Sequence, residues 1–479
     1  MIDGLLSLYS WSYPYKIVYM LQNCEYMAWP YLKWYWQTTN FNKVVYRRQL
    51  QKTRPARMLL LALYGGILIE VLIGLLLIWL WKFRNLTGVW EFGLALIIAA
   101  PVVWAQLIVA PLVIGRLLIV KPRTYVMVKK SEHIFRDHPA EKIAVTGSYG
   151  KTSMKEILQT VLGTGKKVIA TPGNKNVPIS HAHFANGLKG DEEVLIIEYG
   201  EGAPGDVLRF AITTHPTYAI ITGLAPAHLD RYKTVEAAGD DIFSVADAVP
   251  DHHVFVNAES PLAKPFIEKN FEQYSIDGAL GWKVSEIKND VSGISFKMKK
   301  EEETLYLSSG LVGRHQVGPL AIVAALAREL GLTTKQIEDG VGQTFPFEHR
   351  MQPYRLGGAW IIDDTYNGNI EGIRVGTELL SELQANRKIY VTPGLVDQGT
   401  ETKSVHETMG RLISKASPDI VILMKNSVTE YIENGLKKAK FKGQVIVEDD
   451  PLQFYTNLQV FVAAGDLVLM QNDWPDNYA

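Results

Sequence analysis

Two apolar runs, Met58 to Trp81 and Phe92 to Gly115, restrict what this chain can become more than any other part of it. Each reaches the roughly 20 residues that a helix needs to cross the hydrocarbon core of a bilayer. A core helix of a water-soluble body seldom lacks a polar face for so long, and neither run has one. Both are too long, and too far from the start, for a cleavable leader. A two-span transmembrane hairpin is therefore expected over residues 58–120. Lys43, Arg47, Arg48, Lys52, Arg54 and Arg57 precede the first run, and Arg116, Lys121, Arg123, Lys129 and Lys130 follow the second. The short connection holds only Lys82 and Arg84. The bias of basic residues toward the cytoplasmic side puts both ends of the hairpin in the cytoplasm, which predicts a multi-pass protein of the cell (inner) membrane. Glu70 interrupts the first run, where a carboxylate is costly unless protonated or paired, and Gln106 is a candidate partner. Pro101 and Pro111 should bend the second span. Ahead of the spans, residues 1–57 are crowded with Tyr9, Trp11, Tyr13, Tyr15, Tyr19, Trp29, Tyr31, Trp34, Tyr35 and Trp36, aromatics that favour the membrane–water interface.

Composition matters here mainly for what it excludes. A chain of 479 residues has room for two or three domains. Its formal net charge of -1 gives no electrostatic case for a nucleic-acid partner. A single cysteine, Cys24, rules out a disulfide framework and suits a reducing compartment.

Beyond the hairpin, the informative stretch is Ile143 to Ser153. Ile143, Ala144 and Val145 read as a buried strand, and Met154 to Leu162 reads as the helix that follows. Between them lies a turn rich in glycine, Gly147-Ser148-Tyr149-Gly150-Lys151-Thr152-Ser153. Backbone N–H groups freed by the glycines, with the positive end of the helix, can cradle a polyphosphate. Lys151 would reach the β- and γ-phosphates of ATP, and the Thr152 hydroxyl would ligate Mg²⁺. Val145 stands where the longer form of this loop has its first glycine, so the loop is the shorter Gly-x-x-Gly-Lys-Thr type.

From about residue 140 onward, strands alternate with helices. Val168 to Thr171, Val194 to Glu198 and Tyr218 to Thr222 are short apolar runs, separated by helical stretches such as Ile179 to Gly187. This is the pattern of a parallel sheet covered on both faces, whose ligand site lies at the carboxyl ends of its strands. Glu198 ends one run, well placed to hold Mg²⁺. His228 follows another at the same edge, where a metal role competes with an ordinary structural one. The polar loop with Asn174 and Asn176 follows a third. A meander from Val254 to Leu307 and a helix from Pro319 to Leu330 come next. Phe345 to Gln352 reads as a hinge. After it a second series begins, with strands at Trp360 to Ile362, Ile389 to Thr392, Ile420 to Leu423, Val445 to Val447 and Leu467 to Met470.

Several motifs in fixed order carry a resemblance. They are Thr-Gly-Ser-Tyr-Gly-Lys-Thr-Ser (146–153), Asn-Lys-Asn-Val-Pro (174–178), Glu-Tyr-Gly (198–200), Ala-His-Leu-Asp (227–230), Gly-Arg-His (313–315), Glu-His-Arg (348–350) and Asp-Asp-Thr-Tyr-Asn-Gly-Asn (363–369). Gly394 to Gly399 with His406 extends the series. Over residues 140–479 the chain resembles the Mur ligase family, and within it the branch that adds D-alanyl-D-alanine. The resemblance implies an α/β architecture, with a central ATP-binding domain at 140–345 and a smaller Rossmann-like domain at 346–479. It implies an ATP-dependent ligase that makes an acyl phosphate from a substrate carboxylate and then an amide from an incoming amine. The partners implied are a cell-wall precursor and an amino acid or dipeptide, and the hairpin adds membrane lipid. By analogy Thr152 and Glu198 hold the metal of the nucleotide and His228 a second one. Arg350, Asp363, Asp364 and Asn367 would meet the nucleotide from the hinge and the last domain, with Asn174, Asn176, Tyr366 and Asn369 on the substrate side.

The chain departs from the family pattern at two places within the motifs. Gly239 stands where members usually carry a carbamylated lysine, so either Asp240 or Asp241 takes over part of the charge at a second metal or that metal is held weakly. Pro319 replaces a usual asparagine near the adenine. A third departure is larger, because the hairpin occupies the place of the domain that grips the UDP end of the precursor. That favours, as alternatives, a ligase acting on a lipid-linked muropeptide or extending a γ-glutamyl polymer. A nucleotide-binding membrane scaffold that no longer ligates is the rival of another class.

Overall fold

The computed structural model describes all residues except 1, 25, 45–49, 85–87, 174–175, 227–228, 251, 367, 396–397 and 473–479. The chain divides into two compact units, Met1–Val126 and Met127–Ala479.

In the first unit, helices α1 (Ile2–Ser7), α2 (Tyr13–Asn23) and α3 (Ala28–Gln37) precede two long apolar helices, α4 (Arg54–Arg84) and α5 (Val89–Leu107). Gly66 lies against the Trp104 ring and Gly74 against the Gly93 backbone, so α5 comes close to α4 at positions where α4 carries no side chain. The helical path continues through α6 (Val109–Gly115) and a π-turn (Arg116–Val120) into α7 (Lys121–Asp137). Its break at Ile108 lies one turn before Pro111, whose missing N–H and bulky ring disrupt the preceding turn. Pro101, by contrast, sits inside an unbroken α5. The backbone near it is met by tyrosines: Tyr9 donates to the Ile98 carbonyl at 2.6 Å, Tyr13 to Pro101 at 3.2 Å and Tyr31 to Ala105 at 2.8 Å. Tyr13, Tyr31, Tyr35 and Phe41 are buried in one cluster with Leu59, Leu63 and Ile108, and Cys24 is packed against it. The aromatic segment is thus built onto the ends of the two apolar helices, while Trp11, Trp29 and Trp36 stay exposed. Glu70 does not meet Gln106. It falls between the Gly66–Trp104 and Gly74–Gly93 contacts, and Gln106 lies beyond Trp104, beside the Tyr35 hydroxyl.

Among the described residues of the second unit, ten strands form one sheet and six another. The first ten are β1 (Glu141–Thr146), β2 (Val168–Ala170), β3 (Val194–Glu198), β4 (Tyr218–Ile221), β5 (Val254–Asn257), β6 (Glu272–Ser275), β7 (Gly278–Ala279), β8 (Trp282–Asp290), β9 (Gly293–Lys300) and β10 (Glu303–Ser309). Their spatial order is β10-β9-β8-β7-β6-β5-β4-β1-β3-β2. Pairing is parallel from β2 to β6 and antiparallel from β6 to β10. The meander read from the sequence is therefore an extension of the same sheet. Side chains alternate between two cores. Ile143 and Val145 pack under α8 (Lys151–Leu162), α13 (Val317–Glu329) and α14 (Thr334–Gly342). Ala144 faces α9 (Pro178–Asn186), α10 (Asp206–Thr214) and α12 (Val235–Phe243), the last preceded by the short α11 (Leu229–Tyr232).

The second sheet runs β11 (Gln352–Leu356), β12 (Ala359–Asp364), β16 (Asp466–Gln471), β13 (Arg387–Thr392), β14 (Ile420–Met424), β15 (Gln444–Glu448), with only β11 antiparallel. Helices α15 (Ile370–Glu382), α16 (Thr402–Ala416) and α17 (Thr429–Lys438) cover one face and α18 (Pro451–Phe461) the other. The buried His406 braces a turn here, its Nε2 accepting from the Leu395 N–H at 2.9 Å and its Nδ1 bonded to the Thr402 carbonyl at 2.6 Å.

Candidate active site at the phosphate loop

The strand order makes the site. β1 lies between β3 and β4, in register at Val145 with Glu198 and at Thr146 with Ile221, so three carboxyl ends open on one crevice. Such a switch point is where α/β sheets bind ligands. The turn after β1 needs its glycines. Gly147 has φ +134° and its Cα faces Thr222 and the Gly223 backbone, leaving no room for a Cβ. Gly150, at φ +73°, caps α8, which begins at Lys151, three residues earlier than the apolar pattern alone predicts.

Lys151 donates to Glu201 Oε2 at 2.7 Å and to the Gly147 carbonyl. Thr152 Oγ1 donates to Glu198 Oε1 at 3.1 Å. Glu198 is 2% exposed, and its backbone is clamped on both sides. Its N–H donates to Thr171 Oγ1 at 3.0 Å, and its carbonyl accepts from His181 Nε2 at 2.9 Å. Burial lowers the pKa of His181 to about 4, so the ring is a neutral donor. On the next turn of α8, Lys155 is completely buried, donates to the Gly173 carbonyl, and lies 3.2 Å from Glu198 Oε2. That last contact is electrostatic in character, since Oε2 makes no hydrogen bond of proper geometry. Ser148 Oγ is likewise buried without a partner. Ser153 lies in the first turn of α8.

These atoms fit a nucleotide and its metal. A threonine hydroxyl and a carboxylate with an unsatisfied oxygen are hard donors of the kind Mg²⁺ takes, the remaining ligands coming from phosphate and water. Among the described residues no three His, Cys, Asp or Glu side chains form a closed cage. Asn174, His228 and Asn367 lie outside the described residues. Asp241 is no substitute for the absent lysine at 239. It accepts from Tyr232 Oη at 2.6 Å and the Gly205 N–H at 2.7 Å, whereas Asp240 is exposed. Gly239 itself packs against the Phe266 ring, where a Cβ would collide. Asn176 presents its carbonyl to the Gly200 N–H at 3.1 Å.

The predicted residues of the last sheet form a second group. His349 Nδ1 meets Asp363 Oδ2 at 2.8 Å, and the N–H and hydroxyl of Thr365 donate to Asp363 Oδ1 at 3.1 and 2.7 Å. Asp364 accepts from Gln471 Nε2 at 2.8 Å and the Met351 N–H at 3.3 Å, and burial raises its pKa to about 7. Both carboxylates therefore tie the 349–351 segment to β12. The Arg350 guanidinium lies 4.6 Å from the centre of the Tyr366 ring. Asn369 caps α15, accepting from the Gly372 N–H at 2.9 Å. The groups approach each other at Tyr149 of the phosphate loop, whose hydroxyl feels the charges of Glu371 and Arg374 on α15. His315 is half-buried, and desolvation holds its pKa near 4, its Nε2 accepting from Gln316 at 2.8 Å.

Residues 145–327 match the family model described as the Mur ligase middle domain. Over that stretch the chain is similar to a Mur ligase middle domain. It is an ATP-dependent ligase that forms carbon–nitrogen bonds, and ATP and Mg²⁺ are its cofactors. The UDP-N-acetylmuramoyl-tripeptide--D-alanyl-D-alanine ligase of Escherichia coli (strain K12) is 26% identical over 316 residues, which is 64% of this chain and 69% of that one. In fold, the MurF ligase of Thermotoga maritima, solved in complex with ADP, superposes with a TM-score of 0.64 at 22% identity, covering 73% of this chain and 80% of that one. A pseudomurein peptide ligase type C from Methanothermus fervidus superposes at 0.54 with 16% identity, covering 71% and 78%. The matched middle domain spans the phosphate loop, Glu198 and α13. Within it, sequence reading passed over Lys155, Glu201 and His181. Lys155 was findable, standing one helical turn beyond Lys151 on the same face.

Proposed function

We propose that this chain is a membrane-anchored, MurF-like ligase of peptidoglycan precursor synthesis, joining D-alanyl-D-alanine to a muramoyl tripeptide. The terminal carboxylate of the precursor attacks the γ-phosphate of ATP, and ADP leaves. The amine then attacks the acyl carbon, and phosphate departs as the amide forms. Lys151 neutralises charge on the transferring phosphoryl group, and Thr152 with Glu198 holds Mg²⁺, which when bound adds further charge neutralisation. Gly147, Ser148, Gly150 and Ser153 cradle the phosphates, and His228 supplies a ligand to a second metal. Arg350, Asp363, Asp364 and Asn367 serve the nucleotide, and Asn174, Asn176, Tyr366 and Asn369 the substrate, once the hinge closes. In this reading residues 58–120 form a cytoplasm-facing hairpin in the inner membrane, residues 1–57 lie at its interface, and 140–345 and 346–479 act as two domains.

The observation that carries the reading is the convergence of Lys151, Thr152 and Glu198 at the carboxyl ends of β1 and β3. A second acceptor, a lipid-linked muropeptide, is favoured by the apolar faces of α4 and α5. Only 17% and 28% of the two apolar windows is buried, unlike helices of a soluble core. Phosphate release by the detergent-purified chain tests both. Release that requires ATP, the UDP-linked tripeptide and D-alanyl-D-alanine together supports the first reading. Release only with the lipid-linked acceptor supports the second, and release independent of acceptor and amine, or none, supports the scaffold.

A further inference from the structure

Lys151 already holds a carboxylate. Its ammonium lies 2.7 Å from Glu201 Oε2, with only 12% of the lysine side chain and 5% of the glutamate side chain exposed. The loop carrying Glu201 is fixed on both sides. Gly200 donates to the Asn176 carbonyl at 3.1 Å, Arg231 donates to Gly202 at 3.2 Å, and Gly205 donates to Asp241 at 2.7 Å. Glu201 is therefore a placed anion beside the one lysine that must neutralise a phosphate. A polyphosphate and this carboxylate compete for a single ammonium. Once a phosphate draws Lys151 away, a nearly buried carboxylate is left without its counter-ion, which is costly unless another cation arrives. The site has already accepted one primary ammonium, and the incoming amine of the ligation reaction is another.

We propose that Glu201 exchanges counter-ions during the reaction, releasing Lys151 to the nucleotide and receiving the ammonium of the incoming amine beside the acyl phosphate. This rests on the ligase reading above. Glu201 is then a specificity-determining residue that favours a cationic amine over a neutral nucleophile such as water. In the step it serves, a carbon–nitrogen bond forms and the bond from acyl carbon to phosphate oxygen breaks, the electron pair leaving on phosphate. The nitrogen loses two protons, one carried off by the phosphate and one passed to solvent.

The test uses the full chain in detergent and substitutions at position 201. Glu201→Gln should tighten binding of a non-hydrolysable ATP analogue with Mg²⁺ by about tenfold, because competition for Lys151 ends, and raise KM for D-alanyl-D-alanine by about tenfold. KM for the UDP-linked tripeptide should not move. Glu201→Asp, which keeps the charge, should return both constants toward wild type. Shifts of opposite sign for nucleotide and amine are not what a merely structural residue gives. Analogue binding that is unchanged or weaker, or constants that worsen together, would overturn the exchange. If the unaltered chain shows no amine-dependent turnover, the ligase reading falls and the amine half with it, and the analogue titration still decides the competition for Lys151.

Discussion

Lys155 illustrates how a single side chain organises the site. Its ammonium is fully buried, and its charge is balanced by Glu198 and the Gly173 carbonyl. Replacing one member of a buried pair leaves the other without its counter-ion, at a cost of roughly 3 kcal/mol or more. Lys155→Met should therefore lower the thermal midpoint and weaken Mg²⁺-dependent nucleotide binding together. A change in midpoint alone would confine its role to folding. Asp364 makes a different prediction. Its pKa is raised from 3.8 to about 7 by burial, so the folded state binds the proton more tightly than the unfolded one. The stability this contributes is complete below 3.8 and is lost as pH climbs toward about 7, with a slope no steeper than about 1.4 kcal/mol per pH unit. Asp364→Asn should flatten that part of a midpoint-against-pH curve, and an unchanged curve would remove Asp364 as its source.

At the scale of elements, α15 shows how a motif residue can be committed to the fold. Asn369 accepts from the Gly372 N–H, satisfying a donor that a helix start leaves free. Asn369→Ala should cost about 1 kcal/mol in chemical denaturation, whatever its effect on turnover. The strands and helices around the phosphate loop were legible in the sequence because apolar runs, glycine turns and helical periodicity are local signals. The same holds for the five parallel strands of the second sheet, each found within a few residues. Two features were not legible. The antiparallel strands β7–β10 join the main sheet through pairings that sequence spacing does not encode. Glu201 meets Lys151 only because β1 and β3 lie side by side, and His181 meets Glu198 only because α9 packs back onto β3. The aromatic segment read as interfacial has a buried side as well, since its tyrosine hydroxyls find carbonyls on α5.

For the molecule as a whole, the two apolar helices predict where the chain resides. With most of their apolar windows unburied, the full chain should stay with membranes through alkaline carbonate washing and be released by detergent. Release by carbonate alone would show that the helices only rest against a surface or against another protein. Nothing in the ligase body depends on that outcome, because its two sheets have their own cores. The aromatic cluster around Tyr13 and Tyr31 brings one more consequence. Cys24 packs against that cluster and is the only thiol in the sequence, with burial pushing its pKa upward. Alkylation of the unmodified protein thus has a single target, and its rate reports on the surroundings of that half-buried thiol at the edge of the aromatic packing, read without any label elsewhere in the chain.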